Sequence, residues 1–373
     1  MYLFRRKYFP GLRFSHSKLA LGIFVLFACV SVSTVAQAEY RQDNLPDLFG
    51  SDEIIELRLE GKVGELINDR GEDPSYHLMK LHYKEQGSTE ETLDLRVRVR
   101  GNFRRLEENC DKPPLKFNFK KHEVPDSSLF AGQRELKLVV PCQGEKYVLR
   151  EYLAYKIYNL ITDYSFRVRL ARFAYHNIEK NELTDPVYAF LIEDQDLLAA
   201  RKGGTLYDRN NLRPESIDEE SFLRMSVFAY LIGNTDWSVQ FQHNMKILFL
   251  DEEKEFVTVP YDFDLVGLVS SPYAKPAEAL RLRSVRERVY RGHCMEDLSR
   301  LDPILDEFRQ LKPRFYALYT GNELLEDGYI ESTLGYFDKF YKTINNRKQR
   351  NKVFSYPCKH YGTGNVVISG MDN

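Results

Sequence analysis

Residues 93–100 read Leu-Asp-Leu-Arg-Val-Arg-Val-Arg, with apolar and charged side chains in strict alternation. Only an extended strand sends such a pattern to two separate faces, one for a core and one for water. The same period recurs at 54–59 and 77–83, and in shorter form at 114–119 and 135–140, which predicts antiparallel strands sharing one apolar face. The period then changes: Tyr147, Leu149, Tyr152, Leu153, Ile157, Tyr158 and Leu160 recur at helical spacing over 147–162. Strand-like patterns return at 166–177 and 186–193. From about residue 195 helical spacing dominates, with Phe222, Met225, Phe228, Ala229 and Ile232 on one face of a helix that Ser221 can cap and Gly233 can end. A polar stretch at 234–244 leads into a hairpin of 245–250 and 256–260, and amphipathic helices are expected at 297–320 and 326–350. The expected fold is α+β and two-lobed: residues 39–194 form an amino lobe of antiparallel strands plus one helix, residues 195–350 a mostly helical carboxy lobe, and 351–373 a tail.

The hydrophobic content of 43%, with 24 Tyr and 24 Phe, supplies a core and argues against disorder. Lys+Arg 53 against Asp+Glu 55 argues against a nucleic-acid partner held by bulk positive charge. Residues 1–38 read as an export signal: Arg5, Arg6, Lys7, Arg13 and Lys18 precede an apolar run from Leu19 to about Val32, and Ala36-Gln37-Ala38 closes it as a cleavage site. Leu26-Phe27-Ala28-Cys29 offers a rival lipid-attachment site at Cys29, against which the bulk of Phe27 argues. No later segment approaches the roughly 20 apolar residues of a membrane span, so the mature chain is expected to be periplasmic or extracellular without one. Beyond the signal stand Cys110, Cys142, Cys294 and Cys358, an even number in a compartment where disulfides persist. Their spacing lacks the CxxC pair of a zinc knuckle. Cys110 and Cys142 flank predicted strands of the same half and are the expected pair, leaving Cys294 with Cys358; four free thiols are the alternative.

The polar stretch and the end of the hairpin concentrate chemistry. Asp236 and Asn244 lie in the loop, and Asp262 and Asp264 lie just past the second strand. Hard oxygen ligands of this kind suit Mg²⁺ or Mn²⁺ carrying substrate phosphates. Phosphoryl transfer also needs a carboxylate that orients the attacking hydroxyl and a lysine on the phosphates. Lys116 on a strand and Glu151 on the following helix complete the chain order of a protein-kinase fold.

Gly233-Asn234-Thr235-Asp236-Trp237, His243-Asn244 and Pro260-Tyr261-Asp262-Phe263-Asp264 resemble the CotH spore-coat kinase family, itself similar to atypical kinases of the secretory pathway. Arg98-Val99-Arg100-Gly101-Asn102, Pro113-Pro114-Leu115-Lys116-Phe117 and Leu149-Arg150-Glu151-Tyr152-Leu153-Ala154-Tyr155 look like its amino-lobe segments, so the resemblance spans roughly residues 95 to 268. It implies an atypical kinase that moves the γ-phosphoryl of ATP, with Mg²⁺ or Mn²⁺, to a hydroxyl on an envelope protein or glycan. Asp236 would be the catalytic carboxylate, Asn244 and Asp262 metal ligands with Asp264 a second choice, Lys116 the phosphate-holding lysine and Glu151 its partner. Arg100 and Lys137 are further phosphate candidates. The chain departs from ordinary kinases in two ways: Asn244 follows Asp236 by eight positions, not five, and Gly61 and Gly64 are too sparse for a phosphate loop.

Plainer roles compete for each residue. Asp262 and Asp264 can be a solvated turn, Asp236 a loop cap, Lys116 and Glu151 surface charges, Trp237 a packing residue or a substrate platform, and His243 a backbone-bonded loop residue or a base. Arg281, Arg283, Arg286, Arg288 and Arg291 form either an anion cradle or a solvated helix face. The competing functions are a catalytically inactive envelope binding or assembly module and a metal-dependent phosphoester hydrolase.

Overall fold

One-sided burial is what the alternation at 93–100 delivers: in β3 (Glu91–Val99), Leu93, Leu95, Val97 and Val99 are buried, while Arg96 and Arg98 lie on the other face. The structure is a computed structural model that describes residues 45–120, 122–292 and 295–355. The readings made on residues 1–38, on Cys29 and on a Cys294–Cys358 bridge lie outside the described residues.

β1 (Ile55–Gly61), β2 (His77–Lys84), β3, β4 (Leu115–Asn118) and β5 (Glu135–Val139) follow one another as antiparallel neighbours, with a short helix α1 (Val63–Asn68) after β1. Helix α2 (Glu145–Ile161) then leads to β6 (Val168–Asn177), β7 (Glu182–Leu183) and β8 (Val187–Ile192). β8 pairs with β5, and β6 pairs with β8 on one side and in parallel with β1 on the other, Leu57 opposite Phe173 and Leu59 opposite Tyr175. The expected lobe of antiparallel strands is thus corrected to a closed barrel in the order β1-β2-β3-β4-β5-β8-β6, with β7 appended to β6. Closure removes the free edges of β1 and β6, which would otherwise present unpaired backbone groups.

Leu57, Leu81, Leu95, Phe117, Leu138, Phe173 and Leu191 fill the interior. The outer face of β5, β8 and β6 is covered as well: Val139, Phe190, Ile192, Val168 and Leu170 join a second core with α2 and the helical part. Burial on both faces explains why β6 and β8 read as nearly continuous apolar runs.

The carboxy-terminal part is mostly helical. It contains α3 (Gln195–Arg201), α4 (Glu219–Ile232), α5 (Asp302–Ala317), α6 (Asp327–Asn345) and α7 (Arg347–Phe354). The expected hairpin, β10 (Met245–Leu250) with β11 (Phe256–Pro260), gains a third strand, β9 (Gly204–Tyr207). The helix expected over 326–350 is two, because Asn346 leaves helical geometry and its side chain caps α7 through the Gln349 N–H. Asp218, not Ser221, caps α4, accepting from the Ser221 N–H at 2.7 Å. Among the described residues no helix is long and apolar enough to cross a membrane.

α4 stops at Gly233, whose φ of 70° only glycine adopts freely and where a Cβ would clash with the Tyr336 hydroxyl. Backbone bonds from Gly267 N–H to Gly233 O and from Leu268 N–H to Ile232 O tie this stop to the segment after β11. Gly233→Ala is therefore expected to cost about 2 kcal/mol or more, seen as a melting temperature lower by roughly 4 °C or more.

Candidate active site

The loop that leaves Gly233 closes on itself. Asn234 Oδ1 accepts from the Asp236 N–H at 2.9 Å, and Ser238 N–H donates to His243 O at 3.0 Å. Asn244 Nδ2 donates both to Asp236 Oδ2, at 2.9 Å, and to Asp236 O, at 3.0 Å. The other carboxylate oxygen, Oδ1, is 3.2 Å from His243 Nε2. Both Asp236 oxygens are thus held, and the Asn244 carbonyl Oδ1 stays available as a ligand. Trp237 does not serve as a platform: it is buried, edge-on to Phe222, in a small core with Met225 and Met245.

The hairpin delivers the second part. Tyr261 N–H donates to Asn244 O at 3.0 Å, and Asp262 N–H donates to the Tyr155 hydroxyl of α2 at 2.8 Å. Asp262 has a φ of 63°, left-handed backbone that a non-glycine residue adopts only when its surroundings hold it there. Asp264 is buried instead of solvated, its Oδ2 accepting from the Tyr273 hydroxyl at 3.1 Å and its backbone O from Ser271 Oγ at 2.7 Å.

Glu151 is also buried, and the structure pairs it with Arg104 rather than Lys116. Arg104 Nη1 donates to Glu151 Oε2 at 3.2 Å and lies 3.7 Å from Asp264 Oδ2, while Nη2 donates to Val140 O at 3.1 Å. Burial pushes the Glu151 carboxyl up, Arg104 working against it and Asp264 adding to it. The Asp264 carboxyl is likewise raised, first by burial and then by Asp262. The loop carrying Arg104 is tethered at its far end by a disulfide between Cys110 and Cys142, whose Cα atoms are 4.7 Å apart. Arg70 holds the same loop through the carbonyls of Arg105, Cys110 and Asp111.

The two lysine candidates separate. Arg98, Lys116 and Lys137 stand side by side across β3, β4 and β5, all on the outer face. The Lys116 ammonium is ion-paired with Glu135, whereas Lys137 lines the cleft. Burial, then Arg100 and Lys246, push the Lys137 ammonium down to about 7. Its Nζ lies 5.0 Å from the centre of the Tyr261 ring, with Lys246 at 6.0 Å from the same ring.

Arg100, Arg104, Lys137, Glu151, Asp236, Asn244, Asp262 and Asp264 thus line one cavity of about 510 Å³ with apolar walls from Val139, Phe166 and Ile192. The donor set fits a hard divalent cation: Asp262 and Asn244 supply oxygens, as suits an ion whose remaining ligands are phosphates and water. Among the described residues no group of three or more His, Cys, Asp or Glu side chains is placed to hold an ion unaided. Arg104, Tyr155, Tyr273 and Lys246 were not legible as site residues; the one available signal was the Cys110–Cys142 pairing, which draws the 100–110 loop toward α2.

No protein-family model matches the chain, and no curated protein matches it. Among solved structures it is similar to the crystal structure of a Helicobacter pylori proinflammatory kinase, CtkA, at 11% identity and a TM-score of 0.36, covering 62% of this chain and 89% of that one.

Because the Lys137 ammonium titrates near 7 against an ordinary 10.5, the unfolded chain holds this proton where the native protein does not. Stability therefore rises with pH between about 7 and 10.5, and the cost is fully present below 7. Lys137→Met should raise the melting temperature at pH 6 by roughly 2 °C or more and leave it nearly unchanged near pH 10.5. Calorimetry at both values checks this.

Proposed function

We propose that this chain is an exported CotH-like atypical kinase that transfers the γ-phosphoryl of ATP to a hydroxyl on an envelope protein or glycan. One observation carries the reading: Asp236 and Asn244, joined at 2.9 Å, share a cleft with Asp262 and with Lys137, which has no acidic partner at hydrogen-bond distance among the described residues. A carboxylate held at both oxygens suits the orienting of an incoming hydroxyl. Lys137 and Arg100, crowded cations, gain by receiving phosphate oxygens. Asp262 and Asn244 would hold Mg²⁺ or Mn²⁺, which when bound neutralises phosphate charge. In the transfer the acceptor oxygen bonds to the γ-phosphorus, the bond to the bridging oxygen of ADP breaks, and the hydroxyl proton is received at Asp236. The signal-like residues 1–38 and the Cys110–Cys142 bridge support the export half of the reading.

The variants separate the roles. Asp262→Ala should abolish metal-dependent ATP binding. Asp236→Ala should leave binding within about 2-fold and lower turnover by about 10² or more. Lys137→Ala should weaken ATP affinity by about 10-fold, and Lys116→Ala by less than about 2-fold, since its charge is already paired. Calorimetric titration of ATP with Mg²⁺ and with Mn²⁺, and label transfer from γ-labelled ATP to an envelope extract, measure these. Phosphate release with no labelled acceptor would favour the hydrolase; no nucleotide binding would favour the inactive module.

A further inference from the structure

The arginine run at 281–291 is neither a helix face nor an open anion cradle. Only a 3₁₀ turn, Glu278–Leu280, precedes it, and Arg281 sits at a φ of 52°. Two of its side chains are committed to backbone carbonyls around the end of α4. Arg288 donates through Nε and Nη2 to Leu231 O at 3.1 and 2.9 Å and lies 3.4 Å from the Tyr336 ring centre. Arg291, 7% exposed, donates from Nη1 to Thr235 O at 2.6 Å and to Trp237 O at 2.9 Å, its guanidinium 5.1 Å from the Trp237 ring centre.

Thr235 and Trp237 are the residues on either side of Asp236. We propose that Arg291 is the positioning residue for Asp236: by gripping the carbonyls of Thr235 and Trp237, the guanidinium fixes the peptide that enters Asp236 and the one that leaves Trp237, while Asn244 holds the Asp236 carbonyl between them, and the direction of the carboxylate follows. Carbonyls just past a helix carboxy terminus lack helical partners and carry partial negative charge, so a buried cation there is both satisfied and satisfying. Arginine suits the task better than lysine because its planar, always-charged fork can be held rigidly between two acceptors and against the indole face. Asn234, His243 and Asn244 hold Asp236 from within its loop; Arg291 holds it from the segment that follows the Asp262 turn.

The catalytic consequence rests on the kinase reading, so the test reads loop order and turnover separately. Hydrogen exchange of the 234–244 amides, nucleotide affinity, melting temperature and label-transfer kinetics would be measured for wild type, Arg291→Met, Arg291→Lys, Asp236→Ala and Asp236→Ala/Arg291→Met. Arg291→Met is expected to speed loop exchange about 10-fold or more while amides in the middle of α4 keep their protection. It should lower kcat about 10-fold or more with ATP affinity within about 2-fold, and Arg291→Lys should recover part of both effects. In the double variant kcat should fall no further than in Asp236→Ala alone. Unchanged loop exchange, or a double variant that loses both factors in full, overturns the proposal. Absence of transfer by wild type would instead sink the kinase reading, with loop exchange still deciding what Arg291 does. If Arg291→Met fails to fold, Arg291→Lys carries the same measurements.

Discussion

Arg104 is a buried cation that must be paired, and what pairs it joins three parts of the chain. Its guanidinium reaches Glu151 on α2, Asp264 beyond β11 and the Val140 carbonyl after β5, and all three side chains are buried at the wall of the cleft. Two buried carboxylates so close to each other would repel, and burial alone already disfavours their charged forms. Removing the arginine would leave uncompensated charge, a penalty of about 3–5 kcal/mol in comparable buried pairs. The barrel loop, the long helix and the turn after the hairpin are thus held to one geometry by electrostatic necessity. The disulfide at Cys110 and Cys142 holds the same loop at its far end and Arg70 grips it at both Arg105 and Cys110, limiting how far Arg104 can withdraw.

The cleft exists because the barrel shares a wall with the helical part. β5, β8 and β6 bury apolar residues inward, Leu138, Leu191 and Phe173, and outward, Val139, Ile192 and Leu170. Where that outward cover ends, at Lys137, an outward-facing lysine meets the hairpin residues Tyr261 and Lys246 instead of solvent. One strand position therefore turns a surface lysine into a site lysine, and its register neighbour Lys116, one strand further from the wall, remains an ordinary ion pair.

This is also where the sequence stops being legible. Period-two alternation identified β1 to β4 because their outer faces meet water, and β5 through Glu135 and Lys137, which precede its covered end; Gly233 marked the end of α4 because a left-handed stop leaves a local trace. Barrel closure left none: β1 and β6 pair across more than a hundred residues, and nothing in either strand names its partner. Alternation showed Lys116 and Lys137 to be outward, yet which outward residue is covered is a property of the packing. Arg104, in a Phe-Arg-Arg loop without periodicity, became visible only once the chain was folded. Asp236, Asn244 and Asp262 were legible for the opposite reason, since loop and turn place them close along the chain on either side of one hairpin.

Strain and charge concentrate at the same place. Gln242, Asn244 and Asp262 all adopt left-handed backbone, with φ of 49°, 49° and 63°, and four carboxyl groups and four cations converge on one cavity. Each non-glycine residue in that region costs about 1 kcal/mol or more, and none of the three strained residues recovers it by burying an apolar side chain. The surrounding core has to offset this, and it is the larger of the two main cores, running from Val139 in β5 through α2 and α4 to Phe354 in α7. An arrangement selected only for stability would relax these residues or replace the buried charges with apolar side chains of similar volume. They persist here, Asp262 held by the Tyr155 hydroxyl of α2 and Glu151 and Asp264 by Arg104, so the cleft keeps its polar groups fixed before any ligand arrives.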